Sequence, residues 1–204
     1  MRKFDESRLV VDLERLPVPF RVAFAAACAE RQMPAYRLFE KQAGRVAPNA
    51  LERALEEVWA EPSRTENAVE LERQIEAVMG LIPQEDGVEG PWTQEATNAQ
   101  NAGMTVAYAL RTKFTGDAQE AAWAARVAYE ALDNFIINKE GIDTNRPGEE
   151  LRVLSHPLVQ AEFDRQERDL RELLAARGRE VAEVVKRIRD RARTEANIFF
   201  GPVL

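Results

Sequence analysis

The chain has 204 residues, 45% hydrophobic and 31% charged, with a formal net charge of −7. That balance excludes a disordered or membrane-spanning polypeptide, and the length supplies one core of good size, so one domain over residues 1–204 is expected. One cysteine (Cys28) and one histidine (His156) exclude an intramolecular disulfide and a Cys/His zinc site, and leave any nucleophile–histidine triad only His156 to use.

In chain order the dominant period is helical. Leu9, Val10, Leu13 and Leu16 share one face of a first helix, which ends before Pro17-Val18-Pro19. Phe20 to Ala29 is apolar all round except for Arg21, the mark of a helix central to a bundle. Pro34 predicts a kink or a new start, because a proline inside a helix loses a hydrogen bond and clashes one turn back. Tyr36, Phe39 and Ala43 continue a stripe up to a stop at Gly44. Pro48 suits a helix's first turn, followed by the stripe Leu51, Leu55, Val58 and Trp59. Ser63 with Glu66 reads as a capping box for a helix that turns Leu71, Ile75, Val78, Met79 and Ile82 inward. Residues 83–91 have turn composition.

Two longer helices follow, from about Thr93 to Phe114 and, capped by Asp117 with Glu120, to about Lys139. Ala99, Gly103 and Ala107 form a smooth ridge that matches Ala121, Ala125 and Ala128. A tight antiparallel hairpin across Thr115-Gly116 is therefore predicted. Residues 141–155 read as a loop. Pro157 begins a helix with Val159, Phe163, Leu170, Leu173 and Leu174 inside, and Gly178 separates it from a last helix carrying Val181, Val184, Val185 and Ile188. Ile198-Phe199-Phe200 is too apolar for a free tail and should dock on the core or on a partner. No segment alternates with period two. The fold class expected is all-α, a single-domain helical bundle of about seven to nine helices.

Little of this carries chemistry. A di-metal carboxylate bundle needs Glu-x-x-His on two helices; here the residue three before the only histidine is Val153. The phosphate-binding glycine signatures are absent. The acidic runs Glu52/Glu56/Glu57 and Glu70/Glu72/Glu76 lie opposite apolar stripes and read as solvated faces. No metal and no cofactor is implied. Cys28, among alanines, reads as a buried thiol, and His156 before Pro157 as a helix N-cap. Glu30 and Arg31 are more informative, because they end an apolar run and a buried arginine needs a partner. They form either an ion-pair or capping network at the Pro34 kink or, with Tyr36, an anion-binding or catalytic site. Asn98, Asn101, Thr105 and Tyr108 make a polar stripe along the first long helix. They either bond to loops and neighbouring helices or line a polar groove.

Charge is unevenly spread: residues 1–45 carry +3, residues 46–155 carry −11 and residues 156–204 carry +1. The acidic middle repels nucleic acid and membrane headgroups. Within Arg177–Arg193 seven basic residues outnumber three acidic ones. A solvated face is the first reading of that segment, pairing with the acidic middle the second, nucleic acid the third. No run approaches the roughly 20 apolar residues of a membrane span. The N-terminus also turns acidic where a signal peptide has its apolar core, so a cytoplasmic protein is expected.

Several short stretches resemble the YjaG-like family, the bacterial domain-of-unknown-function family 416. They are Leu13-Glu14-Arg15-Leu16, then Cys28-Ala29-Glu30-Arg31-Gln32-Met33-Pro34-Ala35-Tyr36 with Phe39 beyond, the Leu55 to Trp59 stretch, Pro157-x-Val159, and Glu195-Ala196-Asn197-Ile198. Ala196 departs from a serine in the family's ending. The resemblance spans about residues 9 to 200. It implies an all-helical domain in the bacterial cytoplasm, implies no activity, and directs attention to Glu30, Arg31, Tyr36 and Asn197.

Two functional expectations follow. The first is a non-enzymatic helical protein acting through protein–protein contacts, as a homodimer or with another protein partner, with neither membrane nor nucleic acid expected. The alternative is an enzyme or small-molecule binder whose polar site is built from Glu30, Arg31 and Tyr36, joined by Asn98 or Asn101. That alternative requires those groups to converge on one pocket.

Overall fold

The computed structural model describes residues 1–43, 49–60, 68–85, 91–176 and 181–200, with the side chains of all of these except residues 43, 181 and 197–200. Among the described residues there are nine α-helices and no strand. In chain order they are α1 (Glu6–Glu14), α2 (Val18–Ala43), α3 (Ala50–Trp59), α4 (Ala68–Leu81), α5 (Gln94–Thr115), α6 (Ala118–Glu140), α7 (Glu149–Leu154), α8 (Pro157–Ala175) and α9 (Val181–Phe200). The fold is the all-α bundle read from the sequence. The Gly44 stop, the Pro48 start, the Ser63–Glu66 box and the Gly178 break lie outside the described residues, and the docking of Ile198-Phe199-Phe200 rests on side chains outside the description.

The apolar run predicts a central helix, and α2 is that helix. Every residue from Val22 to Tyr36 is buried, because α5, α6 and α9 pack along it and α3 and α8 close the remaining sides. Pro34 neither starts a new helix nor ends this one; α2 runs through it. Its ring removes one helical hydrogen bond, and packing on all sides holds the helix together across the gap. Arg21, the one polar interruption near the start, donates to the carbonyls of Leu13 and Leu16 at 3.0 Å and of Gly116 at 2.6 Å. It ties the α1–α2 corner to the α5–α6 turn.

α5 and α6 form the predicted hairpin. The Thr93 hydroxyl caps α5 by accepting from Ala96 N, and Gly116 closes it at φ +72°, a conformation that costs glycine nothing. Asp117 caps α6 by accepting from Gln119 N at 2.9 Å. Glu120 does not complete the capping box. It reaches across the hairpin to Arg111 at 2.7 Å instead. Gly103, read as part of a ridge for α6, faces Ile82 at the end of α4; a Cβ there would lie 2.7 Å from Ile82 Cγ1. Met79, expected inside, is 44% exposed. The stretch read as a loop from residue 141 contains the one-and-a-half-turn helix α7, too short to show a period. With α6 and α8 it encloses a second cluster of Leu132, Ile136, Ile142, Val153, Val159 and Phe163.

Candidate functional site

α2, α3 and α9 border a cleft of about 470 Å³. The apolar stripe of α3 (Leu51, Leu55, Val58 and Trp59) is buried against the core. That leaves Glu52, Arg53 and Glu56 at the mouth. α2 contributes Glu30, Met33 and Arg37, and α9 contributes Arg193 and Ala196. Asn49 stands at the head of α3 in a left-handed conformation, φ 62°, with no side-chain capping bond.

Glu30 lies at the base of this cleft. Its Oε2 accepts from the Trp59 indole at 2.9 Å and its Oε1 from Arg193 Nε at 3.2 Å. A buried indole N–H must find an acceptor, and here Trp59 is what orients the carboxylate. Arg193 also pairs with Glu56, which Arg189 pairs with as well. Arg189 further lies over the Trp59 ring at 5.6 Å. The hydrogen bond from Arg189, aided by both positive charges, holds the Glu56 carboxyl below its usual range against the opposing effect of partial burial. Arg37 pairs with Glu52 across the cleft.

Arg31 is in a different environment. Neighbouring residues of a helix point about 100° apart, so Arg31 faces α8 while Glu30 faces the cleft. It has no exposed surface. Its Nη2 donates to Glu162 at 3.0 Å and its Nη1 to Asp169 at 2.9 Å, with a Glu195 oxygen 3.8 Å away. Burial opposes the charge. Glu162, Asp169 and Glu195 outweigh it, so the guanidinium pKa lies above its ordinary value. The Cys28 sulfur is 3.5 Å from Nη2. Burial pushes that thiol well up, more than Arg31 pulls it down.

In the described part of the basic last segment Lys186 and Arg187 are exposed, as a solvated face requires, but the arginines are also paired with carboxylates of the chain. Arg191 pairs with Asp169 at 2.7 Å and Glu172 at 2.8 Å, and Arg187 pairs with Glu172 at 2.5 Å. Arg168 of α8 reaches Glu195 of α9 at 2.5 Å. Carboxylates on α2, α3 and α8 take up the arginines of α9.

The remaining sequence candidates are dispersed. Tyr36 is buried and its hydroxyl donates to the Leu81 carbonyl at 3.1 Å. Asn98 accepts from Gln94 at 2.8 Å, and the Asn101 carbonyl accepts from the Thr105 hydroxyl at 2.7 Å, both along α5. Asn197 belongs to α9, but its side chain is outside the described residues. Of the five candidates whose side chains are described, only Glu30 lines the cleft. His156 caps α8, its Nδ1 accepting from Leu158 N at 3.2 Å. Among the described residues no group of three or more His, Cys, Asp or Glu is arranged to hold a metal ion, and no described helix is long and apolar enough to cross a membrane.

Arg37, Glu52, Glu56 and Arg193 also border the cleft; the sequence marks Glu52 and Glu56 only as a solvated acidic face, Arg193 only as part of a basic helix, and Arg37 not at all. The usable signal was Trp59. An indole on the buried stripe of a charged helix calls for an acceptor, and Glu30 was the carboxylate already marked as interior.

The family model for DUF416, a protein of unknown function, matches residues 9–198. The chain belongs to the DUF416 family. The crystal structure of a DUF416 family protein from Shewanella baltica OS155 is similar to it with a TM-score of 0.74 at 20% identity. The match covers 90% of this chain and 92% of that one; at that identity it shows the shared fold. Curated proteins give no match. In this DUF416 chain every described residue of the cleft lining, from Glu30 to Ala196, falls inside the matched residues.

Proposed function

We propose that this DUF416 protein acts by contact and not by catalysis, and that the α2–α3–α9 cleft is where it holds a protein partner. The observation that carries the reading is the lining of the cleft. Charges already joined in ion pairs at the mouth, Arg37 with Glu52 and Arg193 with Glu56, surround a floor of Met33, Leu55 and Ala196 that the core itself almost wholly covers. Such pairs are worth little in water and exchange partners at small cost. A rim of charges that can change partners suits a polar protein contact.

The side chains best suited to chemistry are engaged in structure. Cys28 is sealed beside Arg31, His156 caps a helix, and both Glu30 oxygens accept hydrogen bonds. The enzyme reading asks Glu30, Arg31 and Tyr36 to meet at one pocket. They lie on three sides of α2, separated by roughly 100° and 240° about its axis.

The test is a photo-crosslinking residue placed in living cells at position 53, on the cleft mouth, and separately at position 146, on a distant exposed loop. A discrete adduct at position 53 alone is the expected result. An adduct of twice the chain mass would identify the partner as a second copy, the homodimer anticipated from sequence. No adduct at position 53, or the same adducts at both positions, would overturn the reading.

A further inference from the structure

We propose that the cleft takes a basic side chain of the partner, an arginine or lysine, and that Arg193 is the chain's own stand-in for it. The inference rests on the contact reading above and adds the chemistry that is recognised.

Depth decides the sign of the ligand. The Glu30 side chain is 7% exposed, whereas those of Arg193 and Arg37 are 45% and 47% exposed. A group entering the cleft therefore passes a rim of ion pairs, Arg37 with Glu52 and Arg193 with Glu56, and meets the Glu30 carboxylate at the base. Glu30 is turned toward the opening by the Trp59 indole, which occupies its inner oxygen. Its outer oxygen is left for a donor arriving from the cleft. At present that donor is Arg193, through a single Nε contact at 3.2 Å, with the rest of the guanidinium on Glu56. A two-pronged guanidinium–carboxylate pair would be stronger than this divided one.

One further feature fits a basic side chain. The middle of the chain, with its −11, draws a basic segment toward α3 and repels an acidic one. α9 already shows this recognition within the molecule, through Arg189 and Arg193 on Glu56.

The Trp59 indole N–H is bonded to Glu30, so its nitrogen-15 NMR signal reports directly on the site. The full chain is titrated with N-acetyl-arginine amide, with N-acetyl-glutamate amide and N-acetyl-leucine amide as controls. The arginine probe should shift the Trp59 signal saturably, the controls should not, and the Trp92 and Trp123 indole signals should stay in place. R193A removes the competing side chain, so affinity for the probe should rise, by about threefold to fivefold for the loss of one exposed ion pair. E30Q should abolish the shift, with unmoved Trp92 and Trp123 signals certifying its fold. If E30Q does not fold, E56Q serves, and it should weaken the shift. The inference is overturned by a silent Trp59 signal in both wild type and R193A, by an equal response to the glutamate probe, or by weaker binding in R193A. A position-53 adduct together with a silent Trp59 overturns this inference and leaves the contact reading in place.

Discussion

Arg31 has no exposed surface, and its guanidinium lies between Glu162 and Asp169, which are themselves sealed from solvent. A buried charge is tolerable only with its partners, and removing one member leaves the others desolvated and unpaired. Arg31→Met should therefore cost about 3–5 kcal/mol, read as a lower urea midpoint. Arg146→Ala, on an exposed loop, should stay within about 0.5 kcal/mol of wild type. Equal midpoints for Arg31→Met and wild type would mean that the network contributes nothing to stability. At this scale the sequence marked the right pair of residues and could not divide their roles. Glu30 and Arg31 are adjacent, so helical geometry sends them to different neighbours. Which of α3, α8 and α9 lies on which side of α2 is decided by contacts over more than 130 positions for Arg31 with Glu162 and Arg193 with Glu30.

The helices themselves were largely legible, because caps and periods are local. Thr93, Asp117 and His156 each cap the helix assigned to them, and the apolar run Phe20 to Ala29 marked the central helix. Legibility failed where a small residue answers to a distant one. Gly103 was assigned to the α5–α6 seam by its spacing, yet its missing Cβ makes room for Ile82. Ile82 is buried, 4% exposed, so it cannot swing away from an added methyl. Gly103→Ala should destabilise by about 1–3 kcal/mol, the usual cost of overpacking, despite alanine's better helix propensity. Ile82→Ala alone should cost about 2–5 kcal/mol for the cavity it leaves. The double variant should be more stable than the sum of the two by about 1 kcal/mol, because the second change removes the clash made by the first. Additive losses in urea melts would mean that Gly103 is not there to admit Ile82.

The charge split also changes meaning once the chain is folded. As a string it is an acidic middle between milder ends. In the folded chain α9 lies along α2, beside α3 and α8, and places its arginines on Glu30, Glu56, Asp169 and Glu172. The last helix thus completes the packing of the central helix α2 and the charge balance of α2, α3 and α8. Val184, Ile188 and Ala192 enter the same apolar cluster as Leu13, Phe24 and Leu110. A chain built this way should unfold as one unit, which is the content of the one-domain expectation. In urea, far-UV circular dichroism follows the helices everywhere. Tryptophan fluorescence follows Trp59 on α3, Trp92 just before α5 and Trp123 on α6. The two transitions should coincide within error, as an all-or-none transition requires. A chain ending at residue 176 should lose the cooperative transition, because Glu30, Asp169 and Glu172 would lose their α9 partners while α2 exposed the apolar face that α9 covers. Separate midpoints for the two probes, or a cooperative melt of the shortened chain, would show that α9 is an appendage and not part of the core.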